Sequence, residues 1–151
     1  SVDTLGDFLS FAVSCEQRRQ GILCADSMGI GKTVQTLALM VERPSPLDWE
    51  GGDTLIILPT SLLEKWKYEI EVRLDMCWKP LEYFGAKRPD AAQIKRRIVL
   101  TTYGQLRALV DEARCSLFQS RWWRVVCDEA HVLRNPHSKS YRAVRKLSFN
   151  H

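Results

Sequence analysis

Apolar residues along the chain fall into short continuous runs, separated by longer stretches in which they recur at every third or fourth position. The runs are Gly21-Ile22-Leu23-Cys24-Ala25, Thr54-Leu55-Ile56-Ile57-Leu58, Leu81 to Phe84, Arg97-Ile98-Val99-Leu100-Thr101 and Val125-Val126-Cys127. Each suits a strand buried on both faces. Between them, Val34 to Val41 reads as a helix with Leu37, Met40 and Val41 near one face. Leu62, Leu63, Trp66, Ile70 and Leu74 recur at helical spacing behind Ser61, a candidate N-cap with Glu64 three residues later. Weaker helical patterns cover Asp90 to Arg96 and Gln105 to Ala113, and Leu5 to Phe11 offers another helix. Pro44 to Asp53 and Gly85 to Pro89 read as surface loops. Alternating strands and helices, with strands apolar throughout, predict an α/β fold around a mostly parallel sheet covered on both faces. Ligands in such folds sit beyond the C-terminal ends of the strands.

Length and composition narrow this further. At 151 residues and 45% hydrophobic content, residues 1–151 are expected to form one domain with its own core. No apolar stretch approaches the ~20 residues needed to cross a bilayer, so no membrane partner is expected. The N-terminus lacks a basic-then-apolar signal pattern, from which an intracellular chain is expected. The five cysteines form no C-x-x-C pair, and their odd number argues against a complete disulfide framework. Cys24 and Cys127, inside apolar runs, read as small core residues. A net charge of +4 suits a polyanionic partner without requiring one. The cations gather at Lys87-Arg88, Lys95-Arg96-Arg97, Arg121, Arg124 and Arg142-Arg145-Lys146, each of which also suits an ordinary solvated face.

Two motifs carry chemistry. Asp26-Ser27-Met28-Gly29-Ile30-Gly31-Lys32-Thr33 lies between an apolar run and a helical pattern, the context a phosphate-binding loop needs. Its glycines let successive N–H groups face a phosphate, Lys32 adds a cation at the β/γ-phosphates, and the Thr33 hydroxyl can ligate Mg²⁺. The usual first glycine of such loops is replaced by Asp26. At the end of Trp122-Trp123-Arg124-Val125-Val126-Cys127 an apolar run closes in two carboxylates, Asp128 and Glu129. Asp128 can reach Mg²⁺ and Glu129 can orient or deprotonate an attacking water. Together the motifs predict a Mg²⁺-dependent nucleoside triphosphatase site.

The order of motifs then matters more than any one of them. Ile22 to Thr36 around the loop is followed by Leu58-Pro59-Thr60-Ser61-Leu62-Leu63-Glu64-Lys65-Trp66, by Leu100-Thr101-Thr102-Tyr103, and by Asp128-Glu129-Ala130-His131 continuing to Asn135. From about Gly21 to the end, this series resembles the Swi/Snf family of superfamily-two, DEAH-box, DNA-dependent ATPases. Trp122-Trp123-Arg124 and Arg134-Asn135-Pro136 are most similar to its fungal subgroup associated with DNA repair and transcription-factor removal. The resemblance implies a three-layer, N-terminal RecA-like lobe of the P-loop NTPase type. A second lobe of the parent chain would close over ATP and couple hydrolysis to translocation along duplex DNA in the nucleus, on chromatin or against DNA-bound proteins. It assigns Asp26, Met28, Gly29, Ile30, Gly31, Lys32 and Thr33 to the nucleotide, with Lys32 and Glu129 catalytic and Thr33 and Asp128 on the metal. Pro59, Thr60, Ser61, Thr101 and Thr102 match motifs lying along the nucleic-acid backbone, and His131 would couple the nucleotide site to the DNA side.

Ser27 stands where this family has Glu, and the adenine-reading Gln is not recognisable, since Gln17 and Gln20 lie too near the loop. The chain begins without Met and stops at His151, before the next motif and the second lobe. It is therefore expected to be an excerpt, nearly inactive alone, because an arginine finger from a partner can supply ~10³ to 10⁵ in rate. Two other readings compete: a DEAH-type RNA helicase lobe, and a degenerate, non-catalytic ATPase scaffold. A small-molecule kinase would also use a phosphate loop, but Asp128 to His131 leaves it little room.

Overall fold

The computed structural model describes residues 31–75 and 78–151. They belong to two compact units, one running to Pro44 and the other spanning Ser45 to Asn150. The predicted strand at 21–25, the helix at 5–11 and the loop residues Asp26 to Ile30 lie outside the described residues.

In the first unit, helix α1 spans Gly31–Glu42. Leu37 and Met40 are buried as their spacing predicts, but Val41 is 52% exposed and Leu39 is buried instead. The buried arc is thus centred on Met40, and the predicted stripe is displaced around the helix. Thr36 donates its hydroxyl to the Lys32 carbonyl at 2.9 Å, so this polar residue is satisfied within the helix.

In the second unit, five parallel strands form one sheet: β1 (Gly52–Leu58), β2 (Leu81–Glu82), β3 (Val99–Thr102), β4 (Arg121–Cys127) and β5 (Ser148–Phe149), in the order β2-β3-β1-β4-β5. Its helices are α2 (Leu63–Arg73), α3 (Ala91–Ile94), α4 (Tyr103–Leu109), α5 (Ser116–Gln119) and α6 (Lys139–Lys146). β1 is central because it is buried along its whole length: Leu55, Ile56, Ile57 and Leu58 are all fully buried, each contributing about 1.5–3 kcal/mol by transfer from water. β1 and β3 are enclosed on both faces, as parallel pairing requires. Leu55 and Ile57 enter a cluster with Val99, Leu106, Leu109, Leu117 and Trp122.

Several boundaries differ from the sequence pattern for local reasons. Ser61 does not cap α2. A 3₁₀ turn, Thr60–Leu62, intervenes with Leu62 N–H donating to Pro59 O at 3.0 Å, and Leu62 precedes the helix without a side-chain cap. Asp90 does cap α3, in a reciprocal capping box with Gln93. The run from Leu81 narrows to a two-residue strand, after which Phe84 and Lys87 bond each other across a tight turn. β1 begins at Gly52, inside the predicted loop. There Asp53 is buried because its carboxylate accepts from the Ser45 hydroxyl at 2.7 Å and the Thr54 hydroxyl at 2.8 Å.

Gly52 owes its identity to a neighbour: a Cβ added there would sit 2.4 Å from the Trp122 ring. Trp122 is fully buried and donates its indole N–H to Leu117 O at 3.0 Å, so the ring cannot retreat cheaply. Gly52→Ala is therefore expected to destabilise the protein by about 1–3 kcal/mol, in the range of core overpacking, read from the shift in a urea-denaturation midpoint.

Candidate active site

Parallel pairing brings the ends of β1, β3 and β4 to one edge of the sheet. Leu58 lies opposite Thr102, and Ile57 opposite both Thr101 and Cys127. Pro59 to Ser61, Thr101 to Tyr103 and Asp128 to His131 therefore emerge side by side, although they are far apart in sequence. Chain connections leave β1 toward the β2/β3 side of the sheet and β4 toward β5, so the loops beyond β1 and β4 diverge. In open parallel sheets such a reversal is where ligands bind.

Asp128 is the most heavily tethered residue at this edge. Its N–H donates to Ile57 O at 2.9 Å, which carries the β1–β4 ladder one residue past the strand. Its Oδ1 accepts from Glu129 N–H at 2.9 Å, and its Oδ2 accepts from the indole Nε1–H of Trp66 at 2.7 Å. Its carbonyl oxygen accepts from the Tyr103 hydroxyl at 2.7 Å. Trp66 and Tyr103 are themselves buried. The backbone turns sharply at Glu129, whose φ of 53° and ψ of 46° lie in the left-handed region. A non-glycine residue there carries local strain of order 1–3 kcal/mol, a feature that concentrates at functional sites. The turn lifts Glu129 into solvent, where its Oε2 lies 3.1 Å from Nδ1 of His131, also exposed.

The donor set can be judged against a magnesium ion. Among the described residues, no group of three or more His, Cys, Asp or Glu side chains could enclose a metal. A single held carboxylate fits Mg²⁺, which keeps most of its waters and is shared with substrate phosphates. Each oxygen of Asp128 accepts one hydrogen bond and retains lone-pair capacity on the side away from its donor. In the other unit, Lys32 and Thr33 occupy the first turn of α1, where backbone N–H groups have no partner within the helix; Lys32 is half-buried and Thr33 buried.

The residues matched to nucleic-acid motifs divide into two kinds. Thr60 and Ser61 are exposed and Pro59 is half-buried. Thr101 and Thr102 are buried, and their hydroxyls are engaged: Thr101 donates to Tyr83 O at 2.9 Å, and Thr102 accepts from Gln105 N–H at 3.1 Å as the N-cap of α4. Many clustered cations are also used within the fold. Arg124 is buried beside the Thr54 hydroxyl, Arg96 binds the carbonyls of Pro46 and Leu47, Arg97 binds Lys79 O, and Lys87 pairs with Glu82. Trp66 and Tyr103 are the site residues that pattern reading passed over. A signal did exist, because a buried indole N–H or phenol needs an acceptor.

A parallel α/β sheet with a carboxylate pair just past the carboxyl end of β4 defines the class: an α/β RecA-like lobe. The chain belongs to the SNF2-related domain family, which it matches over residues 7–151, and so is a Swi/Snf-family N-terminal lobe. It is similar to an ATP-dependent helicase of Schizosaccharomyces pombe, 34% identical over 149 residues that cover 84% of this chain. It is also similar to the DNA repair protein RAD5B of Arabidopsis thaliana, at 33% identity over 93% of the chain, and to the DNA repair protein rad8 of Schizosaccharomyces pombe, at 32% over 91%. The chain spans 14% of the length of each of these relatives.

Burial tunes the thiol next to the carboxylates. Cys127 is pushed up to about 11 by desolvation, partly countered by a hydrogen bond with Tyr103. The folded protein thus holds this proton more tightly than the unfolded chain, whose thiol titrates near 9.0. The associated stability is fully present below about pH 9 and is lost as pH rises to about 11. Cys127→Ala is expected to flatten the decline in unfolding free energy across that window, measured by denaturant titration at successive pH values.

Proposed function

We propose that this chain is the ATP-binding motor lobe of a DNA-dependent ATPase, coupling ATP hydrolysis to translocation on duplex DNA. The observation that carries this reading is the tethered Asp128 beside a left-handed, solvent-facing Glu129 at the carboxyl edge of a parallel sheet. Family membership and the ATP-dependent helicase and DNA repair proteins among its relatives support it. In this reading residues 1–151 make up one lobe, and a second RecA-like lobe of the parent chain completes the site. The protein acts in the nucleus, on chromatin or on DNA-bound proteins.

The division of labour follows from the residue types. Asp26, Met28, Gly29, Ile30 and Gly31 would wrap the phosphates with backbone N–H groups, while Lys32 places a cation against the β/γ-phosphates. Thr33 and Asp128 would hold Mg²⁺, which when bound neutralises phosphate charge. Glu129 faces solvent and would orient the attacking water and take up its proton. His131, whose Nδ1 lies 3.1 Å from the Glu129 carboxylate, would couple the nucleotide site to the nucleic-acid side. Pro59, Thr60 and Ser61 offer exposed backbone and hydroxyls to a phosphate chain. Thr101 and Thr102, whose hydroxyls are engaged, would act through backbone groups and through the start of α4. Contacts of this type carry no base sequence.

The test is steady-state ATP hydrolysis by the protein carrying both lobes, with no nucleic acid, duplex DNA, single-stranded DNA or RNA. Stimulation mainly by duplex DNA is expected. Stimulation by RNA alone would replace the reading with an RNA helicase, and no turnover above a Glu129→Gln blank would leave a scaffold. Lys32→Ala should weaken ATP binding by about 10- to 100-fold, the loss of one charge-assisted contact. Glu129→Gln should bind ATP nearly as wild type while kcat falls by about 10² to 10⁴. Equal ATP affinity in Lys32→Ala and wild type, by equilibrium titration, would remove the assigned phosphate loop.

A further inference from the structure

Asp128 is gripped by two buried aromatic side chains, and neither comes from its own strand. Trp66 lies in the first turn of α2, the helix entered through Pro59 to Leu62. Tyr103 is the first residue of α4, the helix capped by Thr102. Each segment proposed to meet the nucleic-acid backbone is thus followed, within a turn of helix, by an aromatic donor on Asp128. Trp66 holds the carboxylate and Tyr103 holds the backbone carbonyl, both at 2.7 Å.

The two contacts fix different things. Trp66 occupies one lone-pair direction of Oδ2 and so sets the rotation of the carboxylate, leaving a defined face for a cation. Tyr103 fixes the carbonyl of the Asp128–Glu129 peptide. The N–H of that same peptide closes on Oδ1, so its orientation determines the left-handed turn that presents Glu129. Burial keeps the Tyr103 phenol protonated, so it remains a donor at any working pH. Neither residue can move without a consequence at the carboxylates: Trp66 is 3% exposed and Tyr103 4%, each packed so that a displacement of its helix start is passed on rather than absorbed.

We propose that Trp66 and Tyr103 are positioning residues that link the two nucleic-acid segments to the reaction site, Trp66 by aligning the metal-binding carboxylate and Tyr103 by aligning Glu129. This rests on the function proposed above and adds the route by which duplex DNA would accelerate hydrolysis. Placement on two helices that begin at the relevant segments supports a contiguous physical path, and its coupling is measurable.

The experiment uses Trp66→Phe and Tyr103→Phe in the protein carrying both lobes. Each retains the ring and removes one donor. ATP hydrolysis is followed against ATP, Mg²⁺ and duplex DNA, with duplex-DNA affinity and melting temperature measured separately. Both variants are expected to bind ATP and DNA as wild type does, to melt normally, and to lose about tenfold or more of the DNA-stimulated kcat. The ratio of stimulated to unstimulated rate should fall in both. The half-saturating Mg²⁺ concentration should rise severalfold in Trp66→Phe only. Tyr103→Phe, which deletes a single hydroxyl, keeps the proposal testable if the indole proves necessary for folding. Wild-type stimulation in both variants overturns the link. So does a loss equal with and without DNA, unaccompanied by a Mg²⁺ shift, because it would assign both residues a purely structural role. If wild type itself shows no DNA-stimulated hydrolysis, the functional reading fails instead, and the two failures are distinguishable.

Discussion

Parallel pairing of β1 with both β3 and β4 is the constraint on which the rest of the described architecture depends. Parallel strands cannot be joined by tight turns, so every connection must cross the sheet and return. The cost is a long chain between neighbours: Leu58 and Thr102 are paired across forty-odd residues of sequence, roughly what a βαβ crossover demands. The return is that all strand ends lie on one edge, where three polar segments from distant parts of the sequence meet. Antiparallel pairing of the same strands would have sent Pro59 and Asp128 to opposite edges.

At that edge the backbone must leave the sheet and still satisfy its polar groups. Asp128 solves this by extending the ladder with its own N–H and by using its side chain to accept from the next peptide. The left-handed turn at Glu129 is then tolerable because the Asp128–Glu129 peptide is held on both of its faces, by Tyr103 at the carbonyl and by the Asp128 carboxylate at the N–H. Hydrogen bonds to a charged carboxylate contribute about 1.5–3 kcal/mol each, enough to offset the strain of one unfavourable φ. The strain and its restraints form one unit, which is why the geometry of Glu129 depends on residues 25 and 62 positions away from Asp128.

How much of this was legible follows from which interactions are local. The strand at Thr54 to Leu58 and the helix through Trp66 and Ile70 could be read because burial on both faces, or on one face, imposes a period on neighbouring residues. The carboxylates at 128 and 129 could be read because they interrupt an apolar run at a strand's end. The start of β1 at Gly52 could not, since a Gly-Gly-Asp sequence has turn chemistry and only the Trp122 ring and the Ser45 hydroxyl explain its burial. α6 was hidden by its own cations: Lys139, Arg142, Arg145 and Lys146 leave few apolar positions to mark a face. Ser61 and Thr102 show the same ambiguity resolved in opposite directions, one residue absorbed into a 3₁₀ turn without capping α2 and the other capping α4.

Trp66 is the most instructive of these residues, because its position in the apolar stripe was correct and its role was still missed. Its ring satisfies the helical period, and a Leu would have done so equally well. Only the indole nitrogen distinguishes the two, and its acceptor lies 62 residues later. An apolar stripe containing a residue with one buried donor therefore poses a pairing question that periodicity cannot answer. Here the acceptor lies just beyond the end of β4, where Asp128 meets the start of α2 across the sheet edge while Glu129 turns away to solvent. The same geometry that holds Asp128 thus also separates two adjacent acids, one fixed from within the fold and the other free to face water.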